Sequence, residues 1–522
     1  MRKNQARVIS LLSVIVFLLL LLLCNRLFFR LDLTKNKAYT ISEVSKNLYR
    51  EISGEVRITY FVSDKLRQAH PIPGEIADLL REYAANSKGK IRFIQKDPAK
   101  AEMTQDVERL GISPQQIQLT EKNEITVAMV YTGILIEYLN KEDVIPVVFS
   151  LDTLEYDITS RIRALVRGVE REIGVIVGDP DKQWDSEYGL LNRELYYSGF
   201  RIRQINPTEA IPPGLPVLFV LGGAGELEID ALINIDNYIL GGGNVFFAVD
   251  GIYVDTRRGF EASAIQDKGL FAMLANYGVI VQQALVLDRT ALNLTFQTQN
   301  RNGTFIQTIR YPEWIGLPQQ AGNHDHPVTS GFSGLDLYWA SPLELNPPPL
   351  VQGEILFTSS DQGWLQSERL VTNPNLFSQF EEEAFRTTGT KNLGVSLSGI
   401  FPAAFPELEN NSPGKPSRII VVGNSLFAGT MMQLNRGEER NLSFLVKAAD
   451  WLSSDDDIAS IRGRDTSSGR LDRISDRSKR DAVIAVSKTV NTIIIPLIVI
   501  FAGGLYVWKR KMKTSTKGKS IE

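Results

Sequence analysis

The sequence predicts an α/β protein, with two folded units set between two terminal membrane-spanning helices. Three patterns carry that prediction. Apolar runs stand at both ends, at Val8 to Leu23 and at Thr492 to Trp508. Between them, short β-branched strands alternate with amphipathic helices. In the second half those strands are continuous apolar runs, the mark of a parallel sheet buried by helices on both faces.

A helix of about 20 apolar residues crosses a bilayer because it satisfies its backbone polar groups internally. Lys509, Arg510, Lys511, Lys513, Lys517 and Lys519 follow the second run, opposed only by Glu522. Such a basic tail marks the cytoplasmic side. The first run is ambiguous, with Arg2, Lys3 and Arg7 before it and Arg26, Arg30, Lys35 and Lys37 after it. Two spans place both termini on one side, so the tail decides: both ends cytoplasmic, the large middle exterior. A cleaved signal peptide is the competing reading. No small-x-small site follows, and a Leu directly before Cys24 fits a lipoprotein signal poorly, so an uncleaved anchor is favoured.

A chain of 522 residues exceeds a single core and calls for two or more domains. Hydrophobic content of 43% and charged content of 22% are globular, not disordered. A net charge of −3, with no basic patch before the tail, argues against a nucleic-acid partner. Cys24 is the sole cysteine, so the middle has no disulfide, thiolate chemistry or cysteine metal site.

The first unit opens with Ser42 as N-cap of a helix to about Glu51, Glu43 lying in its first turn. A buried strand follows at Val56 to Val62. Helical spacing of Ile76, Leu79, Leu80, Tyr83 and Ala84 predicts a helix over Pro73 to Ala85. Lys90 to Gln95 is the next strand, and Ala101 to Leu110 a helix stopped by Gly111. Strands at Glu124 to Val130 and Thr132 to Leu139 are expected to pair with each other. This β-α-β-α-β-β order is that of a thioredoxin-like unit, but Ser63-Asp64-Lys65 stands where a redox Cys-x-x-Cys would be.

A bridging helix over Leu154 to Val169 leads to the second unit. Its strands are Ile173 to Val177, Arg201 to Ile205, Pro216 to Leu221 and Asn244 to Val249, with helices at Glu187 to Ser198 and Ile229 to Leu240. Leu270 to Tyr277 is a helix closed by Gly278, ahead of an expected strand pair, Val279 to Val281 and Ala284 to Leu287. The pattern weakens over about 289–410, where strands are expected at Glu354 to Thr358 and Leu393 to Ile400. It resumes with the strand Arg418 to Val422 and a helix over Leu442 to Leu452. The predicted organisation is 1–30 for the N-terminus and first span, 31–170 for the first unit, and 171–453 for the second. A polar linker at 454–488, a span at 489–508 and a basic tail at 509–522 complete it. There is no internal repeat.

Candidate chemistry is sparse. Gly222-Gly223-Ala224-Gly225 follows a strand but lacks G-x-G-x-x-G spacing, so a structural turn is favoured. Gly241-Gly242-Gly243 reads as a helix C-cap. There is no P-loop. His324-Asp325-His326 is the densest cluster of possible ligands and suits zinc on a strand. Pro327 follows and the surroundings are loop-like, which disfavours a metal. Gly423-Asn424-Ser425 resembles a nucleophile elbow, but Phe427 replaces the second glycine and no histidine follows His326. Ligands of such sheets bind at the strands' C-terminal ends. Gly178, Asp179, Gly222, Gly223, Asp250 and Asn424 are therefore the candidate crevice, with turn geometry as the competing explanation.

Several segments together resemble a known family. They are Leu31-Asp32-Leu33-Thr34 with Tyr39-Thr40-Ile41-Ser42, Val56 to Val62, Pro216 to Leu221, Ile239 to Gly243, Val245 to Asp250 and Leu287-Asp288. His326-Pro327-Val328, Val421 to Ser425 and Asp450-Trp451-Leu452 complete the set. The chain is similar over nearly its whole length to the gliding-motility-associated ABC transporter auxiliary proteins (GldG-like). The resemblance implies a second unit with a flavodoxin-like, glutamine-amidotransferase-like fold that lacks the amidotransferase cysteine. It also implies a non-enzymatic subunit in the bacterial inner membrane, without a cofactor, beside an ABC permease and ATPase. Its periplasmic body would bind substrate or an envelope polysaccharide or protein. Motility does not carry over, since members occur in non-gliding bacteria. An envelope hydrolase or transferase and a purely structural tether are the alternatives.

Overall fold

A computed structural model describes residues 40–453, except 122–123, 152–153, 169–170, 301–302, 331, 383 and 406–413. The expected spans, linker and basic tail lie outside the described residues.

Ser42 caps α1 (Glu43–Glu51), its hydroxyl accepting from Ser45 N at 3.1 Å. Four strands form the first sheet: β1 (Val56–Val62), β2 (Ile91–Lys96), β5 (Thr132–Tyr138) and β6 (Lys141–Ile145), in the order β2-β1-β5-β6. β1 and β2 are parallel, while β5 and β6 run antiparallel. α2 (Asp64–Ala69), α3 (Ile72–Asn86) and α4 (Thr104–Arg109) lie between these strands in sequence, and Leu66, Ile76 and Leu80 are buried in the sheet's core. β3 (Gln115–Glu121) and β4 (Glu124–Val130) make a separate hairpin. The expected pairing of β4 with β5 is thus corrected: β5 lies between β1 and β6.

α5 (Leu154–Arg167) joins this part to a seven-stranded sheet. Its members are β7 (Glu172–Val177), β8 (Arg201–Gln204), β9 (Val217–Leu221), β10 (Asn244–Ala248), β19 (Val351–Thr358), β21 (Asn392–Gly399) and β22 (Ser417–Val422). The order is β19-β21-β22-β10-β9-β7-β8. The five strands from β22 to β8 are parallel, and β21 and β19 are antiparallel additions. Successive residues of a strand face opposite sides. Val175, Phe219, Phe246 and Ile420 therefore enter one core, and Ile176, Val220, Phe247 and Val421 the other. After α6 (Trp184–Glu187), α7 (Gly189–Tyr197) contributes Leu191 and Leu195 to the first core. α8 (Ile229–Leu240) and α9 (Leu270–Tyr277) cover the second.

Further strands surround the large sheet, several of them from the weakly patterned stretch. β11 (Ile252–Asp255) pairs with β12 (Glu261–Ala264). β13 (Val279–Val281) pairs with β18 (Leu343–Leu345), and β14 (Leu285–Leu287) with β20 (Trp364–Gln366), so the expected β13–β14 pair does not form. β15 (Ala291–Asn300) and β16 (Gly303–Leu317) form a long ribbon with β17 (Leu335–Tyr338) at its base. After α10 (Ala384–Thr387), the last element is α11 (Glu438–Ser453), packed into the first core through Leu442, Phe444 and Leu445.

Two expectations are corrected. The second unit is not one parallel sheet but a mixed sheet surrounded by several small ones. Its extra strands come from the weak stretch, whose partners are distant in sequence. The flanking transmembrane helices expected from the sequence have no counterpart among the described residues, where no helix is long and apolar enough to cross a membrane; both expected spans fall outside those residues. The longest, α11, has 16 residues and carries Glu438, Glu439, Arg440, Lys447 and Asp450. A span needs about 20 mainly apolar residues. The inner-membrane placement, cytoplasmic termini and periplasmic body were inferred from those helices and have no support among the described residues.

Buried polar contacts tie α5 to both parts and the start of β7 to α11. Glu155 Oε1 accepts from Ser42 N at 2.5 Å and Ser45 Oγ at 2.8 Å. Arg161 donates to Asp143 Oδ1 at 2.8 Å and to Tyr197 O at 3.0 Å. Arg171 lies 4.0 Å over the Phe200 ring and pairs with Asp450 at 2.5 Å, both side chains nearly inaccessible.

Candidate functional site

The C-terminal ends of the parallel strands bring the candidate residues together. β7 ends in Gly178-Asp179, β9 in Gly222-Gly223, β10 at Asp250 and β22 at Gly423-Asn424-Ser425. Gly178 N donates to Leu221 O at 2.9 Å and Gly222 N to Ala248 O at 2.8 Å, continuing the sheet past the strands. A Cβ on Gly178 would strike the backbone of Gly223, so these two turns touch main chain to main chain. Gly222 and Gly223 have φ of 76° and 100°, where a side chain is strained. The glycines close the gap between β7 and β9.

Asp250 and Asn424 are taken up in bonds within the protein. Asp250 Oδ1 accepts from Ser425 N at 2.7 Å and Asn424 Nδ2 at 3.1 Å, and Ser425 Oγ donates to its other oxygen. Asn424 is fully buried. Its amide also accepts from Tyr338 N at 3.0 Å and donates to Tyr338 O at 2.7 Å. Ser341 N donates to Gly423 O at 2.6 Å, and Gly251 N to Ser341 Oγ at 2.9 Å. The segment from β17 to Ser341 thus runs across the ends of β10 and β22. It fills the place where such sheets commonly seat a ligand.

What stays accessible is an acidic rim. Asp179, partly exposed, caps its own turn by accepting from Asp181 N at 2.9 Å, with Lys182 Nζ at 3.9 Å. Burial raises the Asp250 carboxyl, opposed by its bonds to Ser425 and by Lys182. Burial, then the Asp179 charge, raises Glu226. Glu187 clamps the turn after β22, accepting from Thr430 N and Oγ1, each at 3.1 Å. Ser425, Tyr338, Ser341, Glu187 and Glu226 were not among the predicted site residues. A hydroxyl or carboxylate beside a strand end was the one available signal.

The histidines separate. His324 is exposed, whereas His326 is buried beside Trp451, ring centroids 5.0 Å apart. His326 Nδ1 accepts from Val328 N at 3.2 Å and Nε2 shares a hydrogen bond with Ser396 Oγ at 3.2 Å. Both ring nitrogens are engaged. Among the described residues, no group of three or more His, Cys, Asp or Glu is placed to hold a metal.

Comparison with known proteins follows this geometry. Residues 35–137 match a domain of unknown function. An uncharacterized protein of Borreliella burgdorferi is 27% identical over 523 residues, covering 98% of this chain and all of its own length. Among solved structures, the mmIFT52 N-terminal domain is 10% identical and aligns over 54% of this chain and 97% of its own, with a TM-score of 0.33. A ThuA-like protein of Parabacteroides merdae is 12% identical, over 54% and 90% respectively, with a TM-score of 0.27. Scores this low assign no shared fold. Residues 170–453, more than half of the chain and the whole of the large sheet, match the ABC_transp_aux family, and the protein belongs to that family of ABC-type uncharacterized transport systems.

Proposed function

We propose that the protein is a non-catalytic auxiliary subunit of an ABC transport complex, working beside a separate permease and ATPase. Its folded body offers a surface to substrate or to those partners, and ATP is consumed elsewhere. The observation that carries this reading is the use made of Asp250 and Asn424. Enzymes of this architecture keep strand-end groups free for substrate, whereas here the same groups brace Tyr338 and Ser425. The narrower GldG-like assignment rests on the distributed segments quoted above. Affinity purification of the full chain from its native cells tests the proposal. An ABC permease and ATPase should be recovered together, and recovery of neither would sink it.

The rival reading is a hydrolase built on Ser425, favoured by the hydrogen bond from its hydroxyl to Asp250. Ser425 is only 3% exposed, and His326, the buried histidine, is committed to Ser396. Turnover of an ester or amide panel that disappears in Ser425→Ala would establish the rival instead.

A further inference from the structure

The β15–β16 ribbon is held at its base and open beyond it. β17 pairs only with Trp314 to Leu317, and the bonds between β15 and β16 continue to Asn300 and Gly303. One face is anchored: Leu294 is buried, Leu292, Phe296 and Ile309 pack against the large core, and Thr298 Oγ1 donates to Asn375 Oδ1 at 3.1 Å. The outer half of β16, Gly303 to Thr308, is exposed, with Phe305 at 46% and Ile306 at 74%. Among the described residues, no further strand pairs with its outer edge there. A two-stranded ribbon with no core of its own is marginally stable in water.

Exposed edges in native sheets are normally guarded by charge, proline or a bulge. From Leu292 to Ile309 the sequence has no acid, lysine or proline, and its only charge is Arg301, between the two strands in sequence. The one register irregularity lies at the base, between Ala291 and Leu292. The edge from Thr304 to Thr308 therefore carries no device against strand addition.

We propose that this edge pairs antiparallel with the same edge of a second copy of the chain, across a two-fold axis at Ile306. That register sets Ile306 against Ile306, Thr304 against Thr308 and Phe305 against Gln307. On the face that carries Thr304, Ile306 and Thr308, hydroxyl meets hydroxyl and Ile306 meets its own copy, cross-strand matches that stabilise a sheet. Arg310 falls beyond the paired span, so the approaching edges present no like charges to each other. Antiparallel pairing of identical edges is isologous and closes at two chains, whereas a head-to-tail contact would continue into a filament. The resulting four-stranded sheet covers the open edge of β16.

Disulfide trapping in the full chain, carrying Cys24→Ser, tests the register. Ile306→Cys should form a dimer under mild oxidation, while Leu434→Cys, also exposed at 59%, should not. Sedimentation gives a second readout without cysteine chemistry. Ile306→Lys sets two charges face to face at the axis and should weaken self-association by roughly tenfold or more. Equal trapping at positions 306 and 434 would overturn the proposal. So would a chain that sediments as a monomer at tens of micromolar, or a dimer indifferent to Ile306→Lys. Photo-crosslinking from position 306 that captures a different protein and no second copy would overturn it as well.

Discussion

Asn424 has a buried amide that meets three partners, two of them backbone groups of Tyr338. Truncation to alanine leaves those two backbone groups without this partner, and each orphaned buried group costs about 1–3 kcal/mol. Asn424→Ala should lower unfolding stability by about 2–4 kcal/mol, read from the denaturant midpoint at unchanged slope. A loss below about 1 kcal/mol would show that the amide does not brace the sheet. Glu313 presents the opposite case. It is fully buried, among the described residues no other residue hydrogen-bonds either carboxyl oxygen, and burial raises its pKa well above the usual carboxylate range. An unsatisfied polar group replaced by an apolar one of similar shape tends to be neutral or stabilising. Glu313→Met should therefore match or exceed the wild-type midpoint, and a marked loss would reveal a partner for the acid.

Elements were legible where their pattern is local. β7, β9, β10 and β22 are continuous apolar runs closed by Gly or Asp, and buried central strands need that composition whatever their neighbours. The N-cap at Ser42 could be read for the same reason. β17 was obscure because its character comes from partners far away: Leu335 to Tyr338 includes Asp336. So the polar ends of β10 and β22 were visible, but the segment from β17 to Ser341 that hydrogen-bonds to them was not. The docking of α11 on the large sheet shows the same limit. Arg171 and Asp450 lie 279 residues apart, yet form a buried pair between the start of β7 and the last turns of α11. Removing one partner of such a pair typically costs 3–5 kcal/mol, whereas replacing both with apolar groups is often tolerated. Asp450→Ala should thus destabilise strongly, by about 3 kcal/mol or more, and an Arg171→Met, Asp450→Leu double variant should recover most of the loss. Equal losses in the single and double variants would contradict this.

At the scale of the whole molecule, several acids are harder to ionise in the folded chain than in the unfolded one. Burial raises Asp250, Glu226, Glu313 and Asp236, the last despite bonds from Tyr277 Oη, Ala404 N and Phe405 N. Asp336 is the most informative. It is fully buried on β17 and its pKa is pushed up to about 6 by burial, even with Arg440 at 2.8 Å. That arginine is within ion-pair distance, but neither oxygen of Asp336 accepts a well-formed hydrogen bond. A carboxyl raised on folding binds its proton more tightly in the native state, so stability falls as pH rises through the interval between its two pKa values. For Asp336 that interval runs from 3.8 to about 6. The shift corresponds to at most about 3 kcal/mol. The raised acids act in the same direction, against the common pattern in which carboxylates paired in the fold lose stability on acidification. Asp64, lowered by its hydrogen bond to Lys100, opposes them from the surface. The melting temperature of the full chain should therefore rise from pH 7 to pH 5. Asp336→Asn should flatten that rise by removing the titrating group while keeping its shape. A melting temperature that falls steadily over the same range, unchanged in slope by Asp336→Asn, would show that this acid is already ionised within the fold.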